Sequence, residues 1–179
     1  MDATEQNQWL AEHIPYRLRA SFALSPLQDE FMPRSVHEQT PNCTKAGFLI
    51  TAAFEGRMTA MRWLIELVGV CERKGKPDRP RQFPTAVSIQ SLQDEDQRID
   101  LFSDEAQFLA KVWTACSQAS AHPTQGTNHP TIDNPTLDKA LRIIVNHLQR
   151  TVYSGRSPNL IAEIFKPLIV SSQFSEGQP

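Results

Sequence analysis

The sequence predicts a mainly α fold: a bundle of about five helices around a central helix at 46–70, with a small β-hairpin near 86–102. Three observations carry this. The polar positions Thr51, Glu55, Thr59, Arg62 and Glu66 of Ala46–Val70 have spacings of 4, 4, 3 and 4 and draw one narrow stripe on a helix, and almost everything else in the stretch is apolar, Arg57 being the exception. Leu137, Leu141, Ile144, Val145, Leu148 and Val152 mark a second apolar face at helical period. Alternating residues at Ala86–Leu92 and Arg98–Phe102 flank the polar Gln93–Gln97, the pattern of two short strands and a turn.

The elements follow in order. Trp9, Leu10, Ile14, Leu18 and Phe22 recur at helical spacing over 4–24, and Pro15 should kink that helix or open a second one. Residues 24–45, with Pro26, Pro33 and Pro41, read as a long loop. Gly69 is placed to end the central helix. Cys71–Pro84 reads as a basic, proline-rich loop. Ser103-Asp104-Glu105 opens a helix running to about Ser120, with Leu109, Val112, Trp113 and Cys116 on one face. Ala121–Asn134 is a loop, and Asn134-Pro135 reads as an N-cap followed by proline in the first turn. Asn159–Lys166 predicts a last short helix before Pro167. The domain is expected to span 1–170, with 171–179 a polar tail.

Composition bounds the function. Hydrophobic residues at 40% and charged residues at 21% suit a globular chain, and with a net charge of −2 the chain is not the global polycation that suits a bulk nucleic-acid binder. Three separated cysteines, without a CxxC pair, are expected to be reduced thiols in a cytoplasmic protein. The N-terminal MDATEQNQWLAEH lacks the apolar core of a signal peptide, and Glu55, Arg57, Arg62 and Glu66 break the longest apolar run, so no membrane association is expected. There is no G-x-S-x-G, H-E-x-x-H, P-loop or G-x-G-x-x-G, so the common hydrolase, kinase and dehydrogenase chemistries have no motif here, and no cofactor is expected.

Arg57 is the most informative residue. It projects about 160° from the centre of the polar stripe, in the middle of the apolar face. A guanidinium keeps its charge, so burial demands a partner. Either a carboxylate on a neighbouring element pairs with it, or its stem snorkels the charge to water, or it anchors an anion or phosphate in a crevice between helices. The loop 72–81 holds Arg73, Lys74, Lys76, Arg79 and Arg81 against Glu72 and Asp78, a local +3. It is either a solvated loop or a phosphate contact, and no aromatic residue is interleaved within it. His122, His129 and Asp133 are chemically able to hold a metal, but their spacing does not enforce a site, and none is expected.

Arg142 and His147 form an R-x4-H string, although they project about 140° apart on a straight helix. With that string and the run KVWTACSQASAHPT ending in Ala121-His122, residues 104–153 resemble the C-terminal half of HEPN-like helical proteins. The resemblance implies a helical fold and RNA as substrate, with His122, Arg142 and His147 as the catalytic set. Where that family often carries an Arg and a Gly-Asn before the Ala-His pair, this chain has Trp113 and Ser117-Gln118. The function expected from the residues themselves is a non-enzymatic binding module engaging a protein partner or a second copy of itself. The Ile161, Phe165, Leu168 and Ile169 end is a candidate dimer contact. The alternative is a HEPN-type nucleic-acid-binding protein or RNase using Arg57 and His122.

Overall fold

A computed structural model of the chain describes residues 2–22, 41–81, 87–92, 96–121 and 132–155. The short helix expected at 159–166, the apolar C-terminal end, His122 and His129 lie outside these residues. The mainly α class with one small antiparallel hairpin is what the structure has. Four helical rods make up the described part, against about five expected.

The first rod begins at Asp2, whose carboxylate accepts the Glu5 N–H at 2.8 Å and caps α1 (Ala3–Gln8). The helix then runs through a π-helical turn, Trp9–His13, into α2 (Ile14–Phe22). Pro15 explains the wide turn. It has no N–H, and its ring crowds the carbonyl four residues back. The turn before it opens so that the Ile14 N–H bonds to the Trp9 carbonyl, five residues back. That register aims the Leu10 carbonyl at residue 15, which has no proton to donate. The buried Tyr153 hydroxyl donates to it instead, at 2.9 Å, and ties the far end of the described chain to the first rod.

The central helix is α3 (Pro41–Leu67), which starts and ends earlier than the expected 46–70. Pro41 suits a first helical position, where no N–H is needed. Gly69, at φ +85, closes the helix: its N–H bonds to the Glu66 carbonyl at 3.0 Å, and the Val70 N–H bonds to the Ile65 carbonyl at 3.1 Å.

The hairpin stands at another place than the one expected. It joins β1 (Cys71–Arg73) to β2 (Lys76–Asp78), with Cys71 opposite Asp78 and Arg73 opposite Lys76. Lys74 and Gly75 both have positive φ, the geometry of a two-residue hairpin turn. The stretch read as a basic loop therefore holds the strands. The described parts of 86–102 hold none: Ile89–Ser91 is a 3₁₀ turn that buries Ile89 and Leu92. Ile99 is buried and donates its N–H to the Val68 carbonyl at 3.1 Å. The buried Ile89 and Leu92 are three residues apart, the period of a 3₁₀ turn and not of a strand, so the alternation read from the sequence is not the pattern of burial here.

Ser103 caps α4 (Asp104–Ala121) by accepting the Ala106 N–H at 3.1 Å, as expected. The cap of α5 (Asn134–Arg150) is one residue earlier than expected. Asp133 accepts the Thr136 N–H at 2.9 Å, which releases the Asn134 side chain for another use. α3 packs against α2 and α4, and α5 packs against α4 and α3. One core runs through all of them, built from Leu10, Ile14, Met58, Leu64, Leu109 and Leu141 among others. No helix among the described residues is long and apolar enough to cross a membrane.

Candidate functional site

All three tryptophans of the chain line one cleft of about 530 Å³. Trp9 comes from the π turn, Trp63 from α3 and Trp113 from α4, and each is half-buried. Arg62, Arg73, Arg81 and Arg98 line the same cleft, with Glu66, Glu72 and the buried Cys71. The rings are held by contacts within the chain. Trp9 and Trp63 stack with centroids 5.8 Å apart and planes 9° from parallel. The Arg17 guanidinium lies 5.6 Å over Trp63, and that of Arg62 lies 5.3 Å over Trp113.

The two glutamates are committed as acceptors. Glu66 Oε1 takes the Trp113 indole N–H at 2.8 Å and the Arg62 Nε–H at 3.1 Å. Glu72 takes the Thr114 hydroxyl at 3.0 Å and the Gly75 N–H. These bonds fix the walls: both oxygens of Glu72 are used, and Glu66 takes both of its bonds on Oε1. Burial pushes the Cys71 thiol up to about 11, with the Asp78 charge adding to it, so the cysteine is neutral and a poor nucleophile. Cys116, in the core with Sγ 3.8 Å from Met58 Sδ, is pushed up by burial to about 12.

The cations of the hairpin differ in how far they are neutralised. Arg73 pairs with Asp78 at 3.0 Å. Arg79 donates to the Gly69 and Ile99 carbonyls at 2.8 and 2.9 Å, which binds the end of α3 to the 96–100 segment. Arg98 grips Asp96 through two bonds, and these hydrogen bonds hold the aspartate down at about 2. Lys74, Lys76 and Arg81 are exposed and make no ion pair among the described residues.

Arg57 lies elsewhere. It is buried on α3, with Nη1 donating to Asn134 Oδ1 at 2.9 Å and Nη2 paired with Asp138. Its Nε has no partner among the described residues. This is the ion pair that the helical wheel demanded, and it clamps α3 to the first turn of α5. Arg142 is exposed, while His147 is half-buried and donates from Nε2 to the Gln97 carbonyl at 2.6 Å, so the two do not converge. Burial pushes the His147 pKa down, and Arg150 pushes the same way. Asp133 is committed to capping α5, and that hydrogen bond lowers its pKa. No group of three metal-ligating side chains occurs among the described residues.

Sequence reasoning missed the cleft. Positions 9, 63 and 113 lie far apart in the chain, and each tryptophan counts as apolar in a periodicity reading. The one available signal was that the basic stretch at 71–81 follows directly on the end of the central helix. Comparison of the chain with protein-family models, curated proteins and solved structures gives no match.

Proposed function

We propose that this protein is a helical binding module that engages a protein partner through the tryptophan–arginine cleft. The convergence of all three tryptophans with four arginines on one opening carries the reading. Tryptophan and arginine dominate the energetics of protein interfaces, because they offer large rigid area together with directed hydrogen bonds. The volume also suits a seat for one or two side chains of a partner. A buried neutral thiol and two hydrogen-bonded glutamates favour binding over chemistry at this site.

A photo-crosslinking side chain placed at Arg73, on the cleft, and in a second variant at Arg142, outside it, tests the reading in cells. The expected result is a protein adduct from position 73 only. An adduct of twice the chain mass would identify a second copy as the partner. Equal adducts from both positions would refute the cleft as the site.

A second reading keeps nucleic acid as the ligand, in line with the HEPN resemblance. In its favour, Arg81 lines the cleft with aromatic residues that the sequence had not joined to it, and Lys74 and Lys76 are exposed on the hairpin whose Arg73 lines the same cleft. Phosphate contact would then fall to the hairpin, since the Arg57 guanidinium is already bonded to Asp138 and Asn134. Anisotropy of labelled RNA and duplex DNA at low and moderate salt tests it. Binding that falls steeply with salt supports this reading, and cleavage that depends on His122 would extend it to an RNase.

A further inference from the structure

The charge around the cleft is lopsided. Four arginines and two glutamates line it; Arg62, Arg73 and Arg98 are paired with Glu66, Asp78 and Asp96, so the local excess of +2 rests on Arg81, Lys74 and Lys76 against Glu72, in a chain whose total is −2. The glutamates are consumed by Trp113, Arg62, Thr114 and Gly75, and Asp78 and Asp96 are consumed by Arg73 and Arg98. Arg81 remains on the cleft wall without a carboxylate among the described residues, and the exposed Lys74 and Lys76 stand at the turn of the same hairpin. A guanidinium of this kind is built to take a carboxylate in two parallel hydrogen bonds.

The aromatic walls discriminate between anionic ligands. Single-stranded nucleic acid needs ring faces on which bases can stack. Here Trp63 is stacked on Trp9 and overlaid by Arg17, and Trp113 is overlaid by Arg62. The rings therefore meet a ligand as a fixed apolar wall, which suits an aliphatic or aromatic side chain better than a run of bases.

We infer that the cleft takes an acidic peptide segment of the partner, with an apolar side chain seated against the tryptophans and a neighbouring carboxylate on Arg81. This rests on the binding-module reading above. Lys74 and Lys76 add attraction at longer range, so they act mainly on the association rate.

A random peptide library displayed on phage is the probe, selected on the wild-type protein and on Arg81→Glu. Arg81 is exposed, so the charge reversal leaves the fold intact. The expected consensus is a Trp, Phe or Leu flanked by Asp or Glu. A synthetic peptide of that consensus should change the intrinsic tryptophan fluorescence and bind about tenfold or more weakly to Arg81→Glu, with Arg81→Lys in between. Its affinity should also fall with salt. A consensus without acidic residues, or equal affinity for Arg81→Glu, overturns the acidic-peptide inference while a fluorescence change leaves the cleft as the binding site. Binding without any fluorescence change, or no enrichment on the wild type, overturns the cleft reading itself. A 20-nucleotide poly(U) strand that changes the fluorescence and displaces the peptide reassigns the cleft to nucleic acid.

Discussion

Removing Asp138 should destabilise the protein more than removing the arginine it serves. The Arg57 side chain is 1% exposed and that of Asp138 is 49% exposed. In Asp138→Ala the guanidinium stays buried and charged, since it cannot lose its proton. Breaking a fully buried pair costs about 3–5 kcal/mol. Water reaches the half-exposed Asp138 site and Asn134 keeps one bond, so about 2–3 kcal/mol is expected here. For a chain of this size that lowers the melting temperature by about 5–10 °C. Arg57→Met removes the charge and the unpaired Nε together and fills much of the same volume, so it should fall within about 1 kcal/mol of the wild type. The double variant should be no worse than Arg57→Met alone, because Asp138 matters only through its partner. Urea denaturation followed by tryptophan fluorescence measures all three. An Asp138→Ala cost below about 0.5 kcal/mol would refute the argument, since it would mean that water solvates the guanidinium. Arg57→Met costing as much as Asp138→Ala would refute it too, by assigning the stability to the packing of the arginine stem.

Three further predictions follow from single contacts. Tyr153→Phe leaves the Leu10 carbonyl unpaired and should cost about 1–3 kcal/mol, but less in a Pro15→Ala background, where residue 15 regains a donor; equal costs in both backgrounds would disprove the link. Burial depresses the His147 pKa, so below about pH 6.5 the unfolded chain binds a proton that the folded chain resists. Stability should therefore be complete above that pH and fall as the pH drops below it. The urea midpoint should decrease between pH 7.5 and 5.5, with His147→Gln showing a shallower decrease; identical slopes would show that His147 is not responsible. Gly69→Ala forces a side chain into positive φ and brings its Cβ to 2.7 Å from the Arg98 side chain, so a loss of about 1–3 kcal/mol by thermal denaturation is expected, and an unchanged melting curve would count against the closed cap.

The sequence was most legible where one physical demand dominated. The narrow polar stripe of the central helix put its second half, from Arg57 on, in the middle of a helical core, and it made Arg57 a buried charge in need of a partner; Leu49, in the half expected to be equally buried, is 54% exposed. The carboxylate itself was not legible, because Asp138 sits on an amphipathic helix where an acidic residue needs no explanation. The α5 cap was misplaced by one residue for a related reason. Asp133 and Asn134 are equally good caps by chemistry, and only the pull of Arg57 on Asn134 assigns them separate duties. The hairpin at 71–78 was hidden by its prolines and charges, which read as loop, while Lys74-Gly75 supplied its turn. Alternation at Ala86–Leu92 looked like strand because Val87 and Ile89 fit a period of two, while the burial of Leu92 beside Ile89 follows the period of three of a 3₁₀ turn.

The cleft shows why binding surfaces resist this kind of reading. Periodicity sorts residues into apolar and polar faces, and a site of this type sits at the boundary. Trp9, Trp63 and Trp113 are half-buried, each with part of its ring on the core side and part on the opening. Each scores as core on its own helix. What makes them a site is that Glu66, on the polar stripe of α3, reaches the indole of α4 and holds Arg62 over it. The same boundary logic explains the charge. The hairpin leaves the end of α3 at Gly69, so Arg73 and, just beyond the hairpin, Arg81 come to the wall of the cleft, while Lys74 and Lys76 stay exposed at its turn. A basic segment that follows directly on the end of a buried helix is therefore positioned by that helix, and its neighbours are whatever lines the last turn. Here the last two turns carry Arg62, Trp63 and Glu66, and they form the wall of the cleft together with Cys71, Glu72 and Arg73 of the hairpin.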